Sequence, residues 1–209
     1  MIKIIAHRGY HNSIFKENTY VAIFKALNDP KVYGIEIDIR LTKDKKIVII
    51  HDKDISRTSN GTGIVENMTL KELQRYNYGT KNVYQTIPTL DKILSFNINK
   101  LILLDIKNLG NEKELANHLN KLITKNSRKI YFMSFNEKVL KLIRKDIPKG
   151  HLKVIGYNKK YDFIPVDYKL GNIKSKKEIF FYTIKNNNSI KEISNNDAYY
   201  ICDNLDNIL

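Results

Sequence analysis

The 209-residue chain has no tryptophan, one cysteine and four prolines. The lone Cys202 excludes an internal disulfide, so a reducing, cytoplasmic home is the expectation. No apolar run approaches the roughly 20 residues that span a bilayer, which leaves peripheral contact as the membrane association to expect. The opening Met1-Ile2-Lys3-Ile4-Ile5-Ala6 runs straight into polar residues and reads as a first core strand rather than a secretion signal. There is no internal repeat, no Gly-rich phosphate loop and no dinucleotide fingerprint. Ser134 lacks the Gly-x-Ser-x-Gly surroundings of a hydrolase elbow, leaving it as a phosphate contact or a helix cap. Acid is also scarce: 22 Asp and Glu stand against 36 Lys and Arg, a formal charge of +14. Such a surplus attracts nucleic acid, anionic membrane or phosphorylated small molecules alike. Because lysine is scattered from Lys3 to Lys191 among asparagine and isoleucine, it reads first as a solvated surface.

With 42% hydrophobic residues, 1–209 is expected to be one domain with a full-sized core. Short apolar segments at 2–6, 32–41, 46–50, 101–106, 129–133, 152–155, 163–166, 179–183 and 198–202 read as strands. Helical periodicity occupies 18–27, 69–76, 89–96, 112–125, 137–145 and 189–194. That alternation predicts an α/β fold, a (β/α)8 TIM-type barrel. Nine strand candidates exceed the eight places in such a barrel. The break is expected near residues 40–50, where Thr42-Lys43-Asp44-Lys45 is too short to carry a helical crossover.

Chemistry gathers where polar groups interrupt or end these strands. Ala6-His7-Arg8-Gly9 ends the first, and Ile47-Val48-Ile49-Ile50-His51-Asp52 ends the third. In Gly34-Ile35-Glu36-Ile37-Asp38-Ile39-Arg40, alternation sends Glu36, Asp38 and Arg40 to one face and the isoleucines to the other. Leu103-Leu104-Asp105-Ile106-Lys107 likewise puts Asp105 and Lys107 together. Acids aimed into a barrel repel one another and lose hydration, so a cation between them is expected. Three carboxylates offer only oxygen, which favours one divalent ion, Mg2+ or Ca2+; the plainer alternative is a salt bridge to Arg40 or Arg8.

These residues resemble the glycerophosphodiester phosphodiesterase family, whose relatives include sphingomyelinase D-like phospholipases. The resemblance rests on Ile5-Ala6-His7-Arg8-Gly9, Glu17-Asn18-Thr19, Ile35-Glu36-Ile37-Asp38-Ile39, Ile50-His51-Asp52 and the Arg57 to Gly63 loop. Later landmarks are Ile87-Pro88-Thr89-Leu90, Asp105-Ile106-Lys107, Ser134-Phe135 and Cys202-Asp203-Asn204. It implies a TIM-type barrel and a metal-dependent phosphodiesterase with His7 and His51 as the acid–base pair. Arg8 and Lys107 would bind the substrate phosphate, and Glu36, Asp38 and Asp105 the metal. The expected substrate is a small glycerophosphodiester, cleaved to glycerol 3-phosphate and an alcohol through a cyclic phosphate. A lysophospholipid cleaved in the D-type manner is the alternative.

Departures from the family pattern bear mainly on substrate. Asp105 stands where a glutamate is usual, Lys16 where a proline is, and Leu205 where another proline is. The long insertion before Pro88-Thr89-Leu90 is largely absent, which implies a more open cleft. The rival reading is a basic nucleic-acid-binding module, with Tyr157-Asn158-Lys159-Lys160-Tyr161 as a stacking segment. Three inward carboxylates argue against it, since acids repel the phosphates such a surface must attract, so no obligate nucleic acid is expected.

Overall fold

Eight strands run parallel around a nearly closed barrel, and a ninth lies antiparallel beside one of them. The computed structural model describes residues 2–96, 99–107, 110–123, 129–153, 160–171, 173, 175–193 and 197–209. The strands are β1 (Lys3–His7), β2 (Gly34–Leu41), β3 (Ile47–Ile49), β4 (Leu101–Ile106), β5 (Ile130–Ser134), β6 (Lys149–His151), β7 (Ile164–Asp167), β8 (Ile179–Ile184) and β9 (Tyr199–Cys202). The helices are α1 (Tyr20–Asn28), α2 (Leu70–Leu73), α3 (Leu90–Ser95), α4 (Glu112–Leu122), α5 (Glu137–Leu142) and α6 (Asn187–Ile193). Hydrogen bonding follows the order β6-β5-β4-β2-β1-β9-β8-β7. At the remaining seam, β6 and β7 do not pair along their length. Asp162 bridges them instead, its N–H donating to the Lys149 carbonyl (2.8 Å) and its Oδ2 accepting from the Lys149 N–H (2.8 Å).

The excess strand is β3. It folds back on β2 with Ile39 opposite Ile49 and Leu41 opposite Ile47, so the short junction at 42–45 is a hairpin turn. Thr42 organises that turn by accepting the Lys46 N–H (2.9 Å) and donating to Asp44 (2.7 Å).

Period-two alternation sorts β2 and β4 into two layers. Ile35, Ile37, Ile39, Ile102 and Leu104 face the helices and pack with Ile23, Leu90, Leu115 and Leu119. Each such buried side chain contributes on the order of 1.5–3 kcal/mol. The inward layer is apolar at one end, with Ile5, Leu101, Leu103, Phe163, Phe180 and Ile201 in contact. Toward the carboxyl ends of β2 and β4 it becomes charged, because Glu36 pairs with Leu103 and Asp38 with Asp105 across the ladder.

The sequence reading misplaces β6. The expected strand at 152–155 begins with Leu152 and Lys153, which form a turn, and its last two residues lie outside the described set. The actual strand, Lys149-Gly150-His151, carries no strand-forming side chain and so gives no propensity signal. Its glycine is required by packing: a Cβ on Gly150 would come within 2.5 Å of the Phe163 ring. His151 lies in this strand and stacks on Tyr161 at 5.4 Å.

The interval between β3 and α3 is a folded excursion. Ile55, Val65, Leu73, Tyr78 and Ile87 pack beneath Val48 and Ile50 as a separate small core. A capping box fixes α2, with Thr69 accepting from the Glu72 N–H and Glu72 accepting from the Thr69 N–H (2.7 Å). The interval is therefore ordered by a core of its own.

Candidate active site

The turn after β1 is built by backbone geometry that few residues accept. Arg8 has φ 54° and Gly9 φ 81°. A Cβ on Gly9 would come within 2.8 Å of the Ala22 backbone, so glycine alone lets the turn reach α1. Arg8 is held in place by its own N–H, which donates to Glu36 Oε2 (3.0 Å), and by its carbonyl, which accepts from Asn18 N–H (2.9 Å). Its guanidinium donates to Glu17 Oε1 (2.8 Å), and its Nε lies 3.3 Å from Asp38 Oδ2.

Glu36, Asp38 and Asp105 meet inside this end of the barrel, all at most 4% exposed. Each supplies an oxygen, and the three oxygens lie within 4.8 Å of one another. Asn18 donates to Asp38 Oδ2 (2.8 Å). Lys107 Nζ lies 2.7 Å from Asp105 Oδ2 and 3.2 Å from Asp38 Oδ1. Arg40 shares the face of the acids, but it turns away to the His51 carbonyl (2.9 Å) and Glu66 (2.8 Å), so it is not their counter-ion.

The cluster divides its protons unevenly. Burial raises the Glu36 carboxyl well above the ordinary range, and the neighbouring charges of Asp38 and Asp105 raise it further. Burial likewise pushes Asp105 up to about 6, against the opposing pull of Lys107. Burial also acts on Asp38, but Lys107 and Arg8 more than offset it and hold that carboxyl below the usual range. Glu36 Oε1 and Asp105 Oδ1 are buried without a hydrogen-bond partner, and Asp38 Oδ1 has the Lys107 ammonium 3.2 Å away. Oxygens converging from three buried carboxylates, two of them unpartnered, fit a hard divalent ion. Two oxygens on one such ion lie at most about 4–5 Å apart, twice the bond length. The cluster can therefore hold a metal ion.

Two histidines flank it. His7 Nδ1 is hydrogen-bonded to Asp203 Oδ1, and its Nε2 lies 3.8 Å from Glu36 Oε2. His51 Nδ1 pairs with Asp52 Oδ1 (2.6 Å). In each case a carboxylate on Nδ1 favours the tautomer whose Nε2 keeps a lone pair. Burial lowers the His51 imidazole from its usual value despite the opposing influence of Asp38 and Asp52. Asp52 is itself gripped by Arg57, which also donates to both oxygens of Glu17 (2.7 and 2.9 Å). Glu17 thus joins Arg57 to Arg8. Although burial opposes it, the two arginines draw its carboxyl down to about 2.

All seven residues singled out from sequence, His7, Arg8, Glu36, Asp38, His51, Asp105 and Lys107, stand at this mouth. Sequence reasoning assigned no role to Asp203 or Arg57. Thr19 caps α1, and Asn18 bonds the acid. Asp203 carried the signal that marked His7 and His51, a polar residue directly after an apolar strand. Ser134 is fully buried and donates to the Ile106 carbonyl (2.7 Å), while Asn136 caps α5. Beside Lys107, Ser134 and Phe135 lies an open cavity of about 630 Å³, rimmed by Glu112, Lys138 and Lys153.

A parallel barrel with an inward acidic cluster and histidines at its carboxyl-end mouth defines a TIM-barrel protein whose polar site lies at the carboxyl ends of its strands. The model of the glycerophosphoryl diester phosphodiesterase family matches residues 7–178, and the chain belongs to that family. It is 33% identical over 162 residues to a glycerophosphodiester phosphodiesterase of Caldanaerobacter subterraneus subsp. tengcongensis, covering 72% of this chain and 64% of the relative. It is 38% identical over 122 residues to a putative glycerophosphodiester phosphodiesterase of Bacillus subtilis, covering 54% and 49%. The chain thus matches about half to two thirds of the length of these relatives. A phosphodiesterase of Oleispira antarctica, solved in complex with the product sn-glycerol-3-phosphate, shares the fold with TM-score 0.84 at 22% identity, covering 97% of this chain and 93% of that one. A glycerophosphodiester phosphodiesterase from Thermotoga maritima superposes with TM-score 0.78 at 23% identity, covering 98% and 96%. Among the described residues, no helix is long and apolar enough to cross a membrane.

Proposed function

We propose that the chain hydrolyses small glycerophosphodiesters to glycerol 3-phosphate and an alcohol, with His7 and His51 as the proton-transfer pair. The observation that carries this reading is the convergence of two carboxylate-backed histidines and Arg8 on three buried acids. Family membership supports the substrate class.

Cleaving a diester builds negative charge on the phosphoryl oxygens while an alkoxide departs. A divalent cation, Mg2+ or Ca2+, bound by Glu36, Asp38 and Asp105 would supply positive charge beside those oxygens. Arg8 adds a planar guanidinium, held by Glu17 and 3.3 Å from Asp38. Lys107 neutralises Asp38 and Asp105 and offers a second cation to the phosphate. One histidine takes the proton of the substrate hydroxyl next to the scissile bond as that oxygen attacks phosphorus. The other gives a proton to the leaving oxygen as its bond to phosphorus breaks. The product is a cyclic phosphate, and water opens it with the two roles reversed.

The test is to incubate purified protein and Mg2+ or Ca2+ with glycerophosphocholine, glycerophosphoethanolamine and lysophosphatidylcholine, and to identify products by phosphorus NMR. Glycerol 3-phosphate from the first two, preceded by a transient cyclic phosphate, is expected. Choline phosphate as the main product contradicts the bond selectivity, and turnover of the lysophospholipid alone would favour the D-type alternative.

A further inference from the structure

Beside the oxygen-only cluster lies a second group of different chemistry. His7, His11 and Asp203 offer two imidazole nitrogens and a carboxylate oxygen within 4.8 Å of one another. His11 Nε2 lies 3.4 Å from Asp203 Oδ1 but is buried with no hydrogen-bond partner. Two ligand atoms on a tetrahedral ion with bonds of 2.0–2.1 Å are roughly 3.3 Å apart, close to that spacing. The His7–Asp203 pair is already in contact and needs to open by only about 1 Å to share an ion. The three side chains are 16%, 23% and 29% exposed, so an ion reaches them from the mouth.

We propose that His7, His11 and Asp203 form a second metal site, selective for zinc-class ions, whose occupation shuts the enzyme down. Nitrogen donors favour Zn2+, Co2+ and Ni2+ over Mg2+ and Ca2+, whereas Glu36, Asp38 and Asp105 offer hard oxygens alone. Inhibition rests on the proton-transfer role given to His7 above. With Asp203 on Nδ1–H, His7 Nε2 has a lone pair and accepts a proton. With an ion on Nδ1, the ring's one proton must sit on Nε2, and the imidazole no longer accepts another. The fourth position is left to water or to a substrate oxygen.

Co2+ is the spectroscopic probe. In protein saturated with Mg2+, Co2+ titration should give visible absorption of a four- or five-coordinate ion with nitrogen ligands. His11→Ala should abolish that absorption, and Asp38→Ala should leave it in place. Zn2+ should inhibit wild-type turnover, and its half-inhibitory concentration, measured against each protein's own zinc-free turnover, should rise by at least about tenfold in His11→Ala. Absence of the absorption in wild type, or its persistence in His11→Ala, overturns the site. Circular dichroism of the variant excludes misfolding as the reason for a loss. If Co2+ binds as expected and turnover is untouched, the site stands and the role of His7 is what fails.

Discussion

His7 and Asp203, 196 residues apart in sequence, share a hydrogen bond because β1 and β9 are parallel neighbours with Ala6 opposite Cys202. The contact holds the His7 ring by its Nδ1 and turns Nε2 toward Glu36. Burial works against the Asp203 charge, but His11 and His7 together hold its carboxyl below the ordinary range. It therefore stays an anion throughout the neutral range. Asp203→Asn should lower kcat by roughly 10²–10⁴-fold, because the amide can hold the ring in the wrong tautomer. KM should change little and the fold should persist by circular dichroism. A variant with wild-type kcat would show that His7 needs no orienting partner.

Alanine at His7 or His51 should each reduce turnover of glycerophosphocholine by roughly 10²–10⁴-fold. A substrate with a good leaving group, such as a p-nitrophenyl diester, should rescue only one of the two. The rescued variant has lost the acid. Near-full activity of both variants on the unactivated diester would remove the pair from the mechanism.

Metal affinity should depend on pH because an ion must displace protons from the acidic cluster. Asp105 is raised to about 6 and Glu36 is raised well above the ordinary range, so affinity should climb as pH rises through 6. Isothermal titration with Mg2+ or Ca2+ between pH 5 and 8 measures this. Chelation should abolish turnover, and Asp38→Ala should weaken binding without unfolding the protein. Full activity in stringently metal-free buffer contradicts the prediction.

Glu17 ties Arg8 to Arg57, and its carboxyl is drawn to about 2, below an unfolded value of about 4.3. A depressed acid stabilises the folded state above its unfolded pKa, and that contribution fades as pH falls toward the folded one. Glu17→Gln should therefore be less stable than wild type at pH 7, with the gap narrowing between pH 5 and 3. Urea unfolding midpoints across that range decide it. A gap of constant size would mean that Glu17 acts through packing rather than charge.

How much of this was legible in the sequence differs by element. Period-two alternation placed Glu36, Asp38 and Asp105 on the inner face, because strand geometry leaves a side chain only two directions. The same rule put Arg40 beside them. It fixes the face but not the reach of a long side chain, and Arg40 leans to Glu66. The apolar runs ending in His7 and His51 were visible because burial of a strand requires them. β6 was not visible, since a three-residue strand with glycine at its centre is held by Phe163 and by its neighbours. Arg57 and Glu17, 40 residues apart, had no local signal at all, because only the folded excursion brings them together. The tyrosine–lysine segment of the nucleic-acid reading lies mostly outside the described residues.

The hairpin arm β3 ties the packing of two cores to the position of His51. Barrel strands carry the acids, but His51 arrives on an arm secured by its ladder to β2 and by the Ile50 N–H donating to the Asp38 carbonyl (2.9 Å). Slippage of that arm by one residue would reverse its faces and swing His51 away, with all eight barrel strands still paired. Such a slip would also carry Ile47 and Ile49 out of the main core and Val48 and Ile50 out of the smaller one, so the burial of those four side chains guards the position of His51.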